Sequence, residues 1–321
     1  MRDQASQRAT AEWRATSEQA GMRLDAFLRA ALPHLSRRAI DGALGAGFFS
    51  RNGGPARKGD RLHAGDRIAF SGSEPWLADR PLPEPDLEIS VVYEDAAMLL
   101  VDKPAGIATH GFSGRDAGTL ANYLAARYPA LLEVGKSRWE PGLVHRLDTE
   151  TSGLVLIAKT REAFADLCRQ FRERRVEKIY WALVWGECAA EGAIDLPLAH
   201  DPRDRRRMGP AGAAHGKHTK SWKARSRYRR IGRSQNLTLL EVEMETGVTH
   251  QIRVHLAAIG HPIVADPLYG DNRSDSFGLT RHFLHARRLG FCHPKDGRRV
   301  EFVAELPQEL QMVLDRLGIE R

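Results

Sequence analysis

Two stretches of the chain concentrate side chains able to hold or move a proton. The first runs Gly142-Leu143-Val144-His145-Arg146-Leu147-Asp148-Thr149-Glu150-Thr151-Ser152-Gly153-Leu154. Arg146 and Asp148 are two positions apart, a spacing that turns a guanidinium and a carboxylate to the same side of an extended backbone. On its own, a motif this short is read first as a solvated loop ion pair. The second stretch runs Glu245-Thr246-Gly247-Val248-Thr249-His250-Gln251-Ile252-Arg253-Val254-His255-Leu256 and continues from Gly260 through Asp266 to Gly270. His250 and His255 raise the question of metal. Their spacing misses the i, i+4 face of helical zinc ligands, and no acidic metal motif accompanies them, so no metal is expected.

These segments need a scaffold. At 321 residues the chain can bury a substantial core, and its length suggests about two domains. Its three cysteines, Cys168, Cys188 and Cys292, are widely spaced and support neither a disulfide framework nor a cysteine zinc site. Met1 to Gln19 lacks an apolar stretch of signal-peptide length. The longest apolar runs, such as Leu154 to Ala158, are too short to span a bilayer, so a soluble cytoplasmic protein without a membrane partner is expected. A formal charge of +7 favours a polyanionic partner.

Residues 1–19 show no apolar periodicity and read as a disordered leader. Residues 20–72 read as a small α+β module. Leu24, Phe27, Leu28, Ala31 and Leu32 recur at helical spacing, Ser36 can cap a second helix, and Asn52-Gly53 marks a tight turn between short strands. Arg37 and Arg38, at the start of that second helix, sit where a helix N-terminus favours phosphate. Residues 73–86, with Pro75, Pro81, Pro83 and Pro85, read as a semi-rigid linker. Residues 87–321 alternate β-rich stretches (Ile89 to Tyr93, Met98 to Val101, Leu154 to Ala158, Tyr180 to Val184, Leu237 to Met244) with helical ones at Gly118 to Tyr128, Arg161 to Arg174 and Gln308 to Leu317. The fold class is therefore α+β.

Taken in order, these segments resemble the RluA-type family of pseudouridine synthases. The resemblance runs through D-A-A-M-L-L-V-D-K-P-A-G from Asp95 to Gly106, H-R-L-D-T-E-T-S-G-L from His145 to Leu154, Lys178-Ile179-Tyr180, and T-H-Q-I-R-V-H-L from Thr249 to Leu256. Leu284-His285-Ala286 and His293-Pro294 close it. Residues 23–70 resemble an S-four type RNA-binding domain through R-L-D-A-F-L, P-H-L-S-R and A-G-D-R-I. Two positions depart from the family's pattern: Val248 stands where an arginine is common, and Ala265 where a glycine is common.

The resemblance implies a mixed, mainly antiparallel catalytic sheet with flanking helices, preceded by the small RNA-binding domain. It implies an isomerase that detaches uracil from ribose, rotates it and rejoins it through ring carbon five, with no cofactor. Asp148 would be the acting carboxylate, by covalent attack or by assisting removal of a ribose proton. Arg253 would pair with it and Tyr180 would lie against the uracil ring. Arg146, with His145 beside it, would face the RNA, either filling the space of a flipped base or gripping a phosphate. The implied partner is RNA, with large-subunit ribosomal RNA ahead of transfer RNA, and the implied state is a monomer. A protein of the same fold kept only for RNA binding is the alternative. Basic residues between Arg203 and Arg230 offer further grip on phosphates.

Overall fold

The computed structural model describes residues 8–73, 77–204, 206–212, 220–270 and 275–320. It divides into two units, the first holding residues up to 87 with 110–132 and 137–141, the second holding 88–109, 133–136 and 142 onward.

In the first unit, strands β1 (Arg8–Arg14), β2 (Phe49–Arg51), β3 (Gly54–Pro55) and β4 (Arg67–Ser73) form an antiparallel sheet in the order β1-β4-β2-β3. Helices α1 (Leu24–Ala31) and α2 (Arg37–Gly45) pack with it over a core that includes Leu24, Leu28, Ile40, Phe49, Leu62, Ile68 and Phe70. Ser36 caps α2 as expected, its hydroxyl accepting the Ala39 N–H at 3.1 Å. The Asn52-Gly53 turn is locked by Asp66, whose carboxylate accepts from Asn52 Nδ2, Arg51 Nε and the His63 N–H.

Two boundary expectations are corrected here. Residues 8–19 are not a disordered leader: β1 pairs with β4 from Arg8 to Arg14, and Ser17–Gln19 form a short 3-10 helix. Ala11, Trp13 and Ala15 turn inward while Thr10, Glu12 and Arg14 face outward, so the period of two is real but carried mostly by alanine. Residues 1–7 lie outside the described residues, as does Pro75. The remaining proline-rich stretch is not a free spacer. It docks on α3 (Leu120–Arg127), where Asn122 Nδ2 donates to the Leu82 carbonyl at 2.7 Å and the Gly118 N–H donates to Glu84 at 2.9 Å. Prolines lack an N–H, yet the carbonyls of such a segment still accept, and α3 supplies donors. Helix α3 thus groups with the first unit, not with the later chain as the sequence had suggested.

The second unit is built on one sheet. Its strands are β5 (Ser90–Glu94), β6 (Met98–Lys103), β7 (Ser152–Ala158), β8 (Glu177–Trp185), β9 (Glu191–Asp195), β13 (Arg225–Ser234), β14 (Leu237–Met244), β15 (Leu284–Cys292) and β16 (Arg299–Val303). Their order is β5-β6-β7-β15-β8-β14-β13-β9, with β16 on β15, and all neighbours are antiparallel except β7 and β15. A small sheet of β10 (Leu198–His200), β11 (Met208–Pro210) and β12 (Ser221–Trp222) stands apart, and helices α4 (Arg161–Arg172), α5 (Gln251–Ala258) and α6 (Gln308–Leu317) complete the unit. The mixed, mainly antiparallel α+β architecture is as expected. Every residue of β7 is buried, as a central strand covered on both faces requires. Gly153 is obligatory in it: φ is 116°, and a Cβ there would lie 2.3 Å from the Ala286 carbonyl oxygen of β15.

Candidate active site

The loop before β7 is held from below. Leu147 is buried, and the hydroxyl of the equally buried Thr109 accepts its N–H at 3.1 Å and donates to its carbonyl at 2.8 Å. Pinning Leu147 inward turns both flanking side chains, Arg146 and Asp148, toward a cavity of about 460 Å³. Lys103, at the end of β6, is fully buried beneath the next turn and donates to the carbonyls of Pro104, Ile107 and Thr149. Thr151 closes the turn through its N–H to Asp148 O at 3.0 Å, and its hydroxyl hydrogen-bonds Nε2 of buried His282. Arg281 ties the same loop to β15 and α6 by donating to Glu150 O, Ser152 Oγ, Leu284 O and Glu309.

Across the cavity, α5 starts at an unusual point. Its N-cap, His250, is left-handed with φ of 56°, and this sharp entry places Arg253 one turn into the helix with its side chain inward. Asp266 grips Arg253 bidentately, Nε at 2.7 Å and Nη2 at 2.9 Å, which leaves Nη1 to donate to Asp148 Oδ2 at 3.1 Å. Burial works against the Arg253 charge, but Asp266 and Asp148 outweigh it and raise its pKa above the ordinary value. Burial likewise pushes Asp266 upward, and the Arg253 hydrogen bonds overcome it, so its pKa lies below the ordinary value. Tyr180, on the central strand β8 between β14 and β15, lines the same cavity. Burial first, and the neighbouring Asp148 charge second, hold its phenol above the ordinary tyrosine value, so it stays protonated at neutral pH.

The three residues expected at the chemistry, Asp148, Tyr180 and Arg253, therefore come together from a loop, a strand and a helix. Arg146 lies exposed on the cavity wall with no ion pair among the described residues. His145 also lines the wall, but its Nε2 accepts the Leu156 N–H at 2.9 Å and its ring stacks on Phe171. Burial and Lys178 lower its pKa to about 3, which keeps it neutral. Arg37 and Arg38 are exposed on the first turn of α2 in the first unit.

His255 is an ordinary buried histidine between Ser226 Oγ and Leu196 O, and among the described residues no cluster of three metal-ligating side chains exists. Much of the basic stretch is neutralised. Arg206 pairs with Asp204, Arg227 with Glu245 and Arg229 with Glu241, while Arg205 and Lys217 lie outside the described residues. Val248 packs against the small apolar cluster of Leu198, Met208, Ala224, Val254 and Tyr269. Sequence reading gave no role to Asp266, Lys103, Thr109 or Tyr269. Tyr269 accepts the Met208 N–H, hydrogen-bonds His250 Nδ1 and lies under the guanidinium of Arg253. Asp266 had a local signal, its place in a Gly- and Pro-bounded run just after the helix, but nothing in the chain order tied it to Arg253.

The RNA pseudouridylate synthase family model matches residues 97–258. The chain is 44% identical, over 93% of its length and 91% of the relative's, to an uncharacterized RNA pseudouridine synthase of Chloroflexus aurantiacus. It is 35% identical to ribosomal large subunit pseudouridine synthase D of Zymomonas mobilis, over 95% of this chain and 96% of that one. Among solved structures, human RNA Pseudouridylate Synthase Domain Containing 1 superposes with a TM-score of 0.56 at 25% identity, covering 74% of this chain and 97% of that one.

Proposed function

Because this chain belongs to the RNA pseudouridylate synthase family, and is a pseudouridine synthase, we propose that it modifies large-subunit ribosomal RNA with Asp148 as its acting carboxylate. The observation that carries the assignment of Asp148 is the hydrogen bond its carboxylate accepts from a doubly anchored Arg253, inside a cavity walled by Tyr180. A carboxylate so paired is aimed by the guanidinium that donates to it. In the reaction the C1′–N1 bond of the uridine breaks, uracil turns, and a C1′–C5 bond forms; the C5 proton leaves and N1 gains a proton. Atoms balance without a donor or an oxidant, so no cofactor is needed.

Asp148 acts at the ribose side, by covalent attack or by assisting loss of a ribose proton. Tyr180 packs against uracil; its protonated phenol favours that positioning role over service as a resting base for the C5 proton. Arg146 occupies the stack vacated by the flipped base, and Arg37 and Arg38 hold phosphates from the small domain. His145 contributes a ring face to the wall, its Nε2 being already spent on Leu156.

The ribosomal target is supported by relatives named ribosomal large subunit pseudouridine synthase D, which match over most of the chain. Among the described residues no helix is long and apolar enough to cross a membrane. The proposal takes the protein as a cytoplasmic monomer acting on ribosomal RNA. The test is to map pseudouridines in large-subunit ribosomal RNA from cells with and without the gene. Loss of one or a few sites is expected; an unchanged map with sites lost from transfer RNA would overturn the target.

A further inference from the structure

Lys178 stands two residues before Tyr180 on β8, so it shares the cavity-facing side of the sheet. Only 8% of it is exposed, and among the described residues its ammonium finds one hydrogen-bond acceptor, the Thr246 carbonyl at 3.1 Å, against three N–H donors. Among the described residues it has no carboxylate partner. The acidic side chains lining the cavity are Asp148 and Glu245. The first is taken by Arg253 and the second by Arg225 and Arg227. Its other neighbours are the Phe171 ring, 6.0 Å from Nζ, and Arg174, whose charge adds to the depression caused by burial and brings the Lys178 pKa to about 8. Arg146, Arg172 and Arg174 line the same cavity. A buried cation left without an anion is unfavourable unless a ligand brings one.

Uracil is neutral. The anions that a uridine carries into this cavity are the phosphates on either side of it. We propose that Lys178 binds a backbone phosphate flanking the target uridine and so sets how deeply that nucleotide enters between Tyr180 and Asp148. This rests on the reading of the cavity as the synthase site. The role differs from that proposed for Arg146: Lys178 is enclosed, bears its charge on one nitrogen and has no flat surface to stack on a base.

The test uses full-length protein and an RNA carrying the uridine whose modification is lost from cells without the gene, with a neutral methylphosphonate placed either 5′ or 3′ of it. Binding and isomerisation are measured for wild type, Lys178→Met and Lys178→Arg. For one of the two positions, the wild type is expected to lose about tenfold in affinity and the Met variant nothing further, because its cation is already gone. The Arg variant should keep the wild-type sensitivity. The slope of log affinity against log salt should be shallower in the Met variant by about 0.7 to 0.9. Each comparison is a ratio within one protein, so a smaller folded fraction of a variant cancels. Equal methylphosphonate losses in wild type and Met variant at both positions, or an unchanged salt slope, overturn the proposal. Wild type that fails to isomerise the unmodified RNA overturns the synthase reading instead.

Discussion

Arg253 and Asp148 meet through one nitrogen and one oxygen, Nη1 to Oδ2 at 3.1 Å, and no hydrogen bond among the described residues reaches Asp148 Oδ1. The guanidinium is aimed because Asp266 holds its opposite edge, and Asp266 is in turn fixed by the backbone N–H groups of Leu268 and Tyr269. One oxygen of Asp148 is thereby oriented, and under the proposed function the other is the one open to substrate.

Asp266 should therefore control the chemistry without touching it. Asp266→Asn removes one charge of a buried pair, which costs about 3 kcal/mol of stability, and lets Arg253 swing onto Asp148. The expected outcome is a kcat reduced at least about tenfold with RNA affinity nearly unchanged. Urea unfolding and single-turnover isomerisation check the two effects separately. Full activity in a destabilised protein would show that Asp266 serves the fold alone.

Acid should weaken the fold before it reaches the carboxylate range. Burial pushes His282 down to about 3 and His285 down to about 4, whereas the unfolded chain titrates near 6.5. Their contribution is complete above about pH 6.5 and is lost as pH falls toward the folded values, since the unfolded state takes up the protons first. The slope should be on the order of 1 kcal/mol per pH unit for each histidine. Urea midpoints measured between about pH 7.5 and pH 5 should be flat at the upper end and fall steadily below it. A flat profile throughout would mean that these histidines charge freely in the native state.

Ala265 adopts a φ of 57°, a left-handed conformation that costs an L-residue about 1–2 kcal/mol, at the step that aims Asp266. Glycine takes that conformation without strain but loses more chain entropy on folding. Ala265→Gly should raise stability by about 0.5–1 kcal/mol and leave isomerisation unchanged. Denaturant midpoints decide it, and a drop in stability would show that the methyl group contributes packing that exceeds its strain.

Arg146→Ala should cost about a hundredfold in kcat/KM on folded RNA and less than about tenfold on a short unstructured oligonucleotide, because only the folded target must be unstacked. Equal losses on the two substrates would assign Arg146 to a phosphate.

Asp148, Tyr180 and Arg253 were picked out through the family resemblance, which rests on short contiguous motifs: the loop around Asp148, the strand run at Lys178 to Tyr180, and the segment from Thr249 to Leu256. Their supports were not, because Thr109 reaches Leu147 across 38 positions and His282 reaches Thr151 across 131. The first contact exists only once β6 and β7 are neighbours, the second only once β7 and β15 are. Strand β1 was missed for another reason, since alanine carries little hydrophobic signal although Ala11 and Ala15 face the core. The stretch around Pro81 and Pro83 read as a spacer because proline marks missing donors and says nothing of the carbonyls that α3 uses.

The most direct measurement is tritium release from RNA labelled at carbon five of uridine, with purified wild type and Asp148→Asn. Wild type should release tritium in step with pseudouridine formed. The Asn variant, which keeps the side-chain shape and loses the charge, should release none above background while binding the RNA within about threefold of wild type. Release by the Asn variant at about a tenth of the wild-type rate or more would remove Asp148 from the chemistry. Absence of release by the wild type on the RNA that carries its target uridine would contradict the enzyme itself.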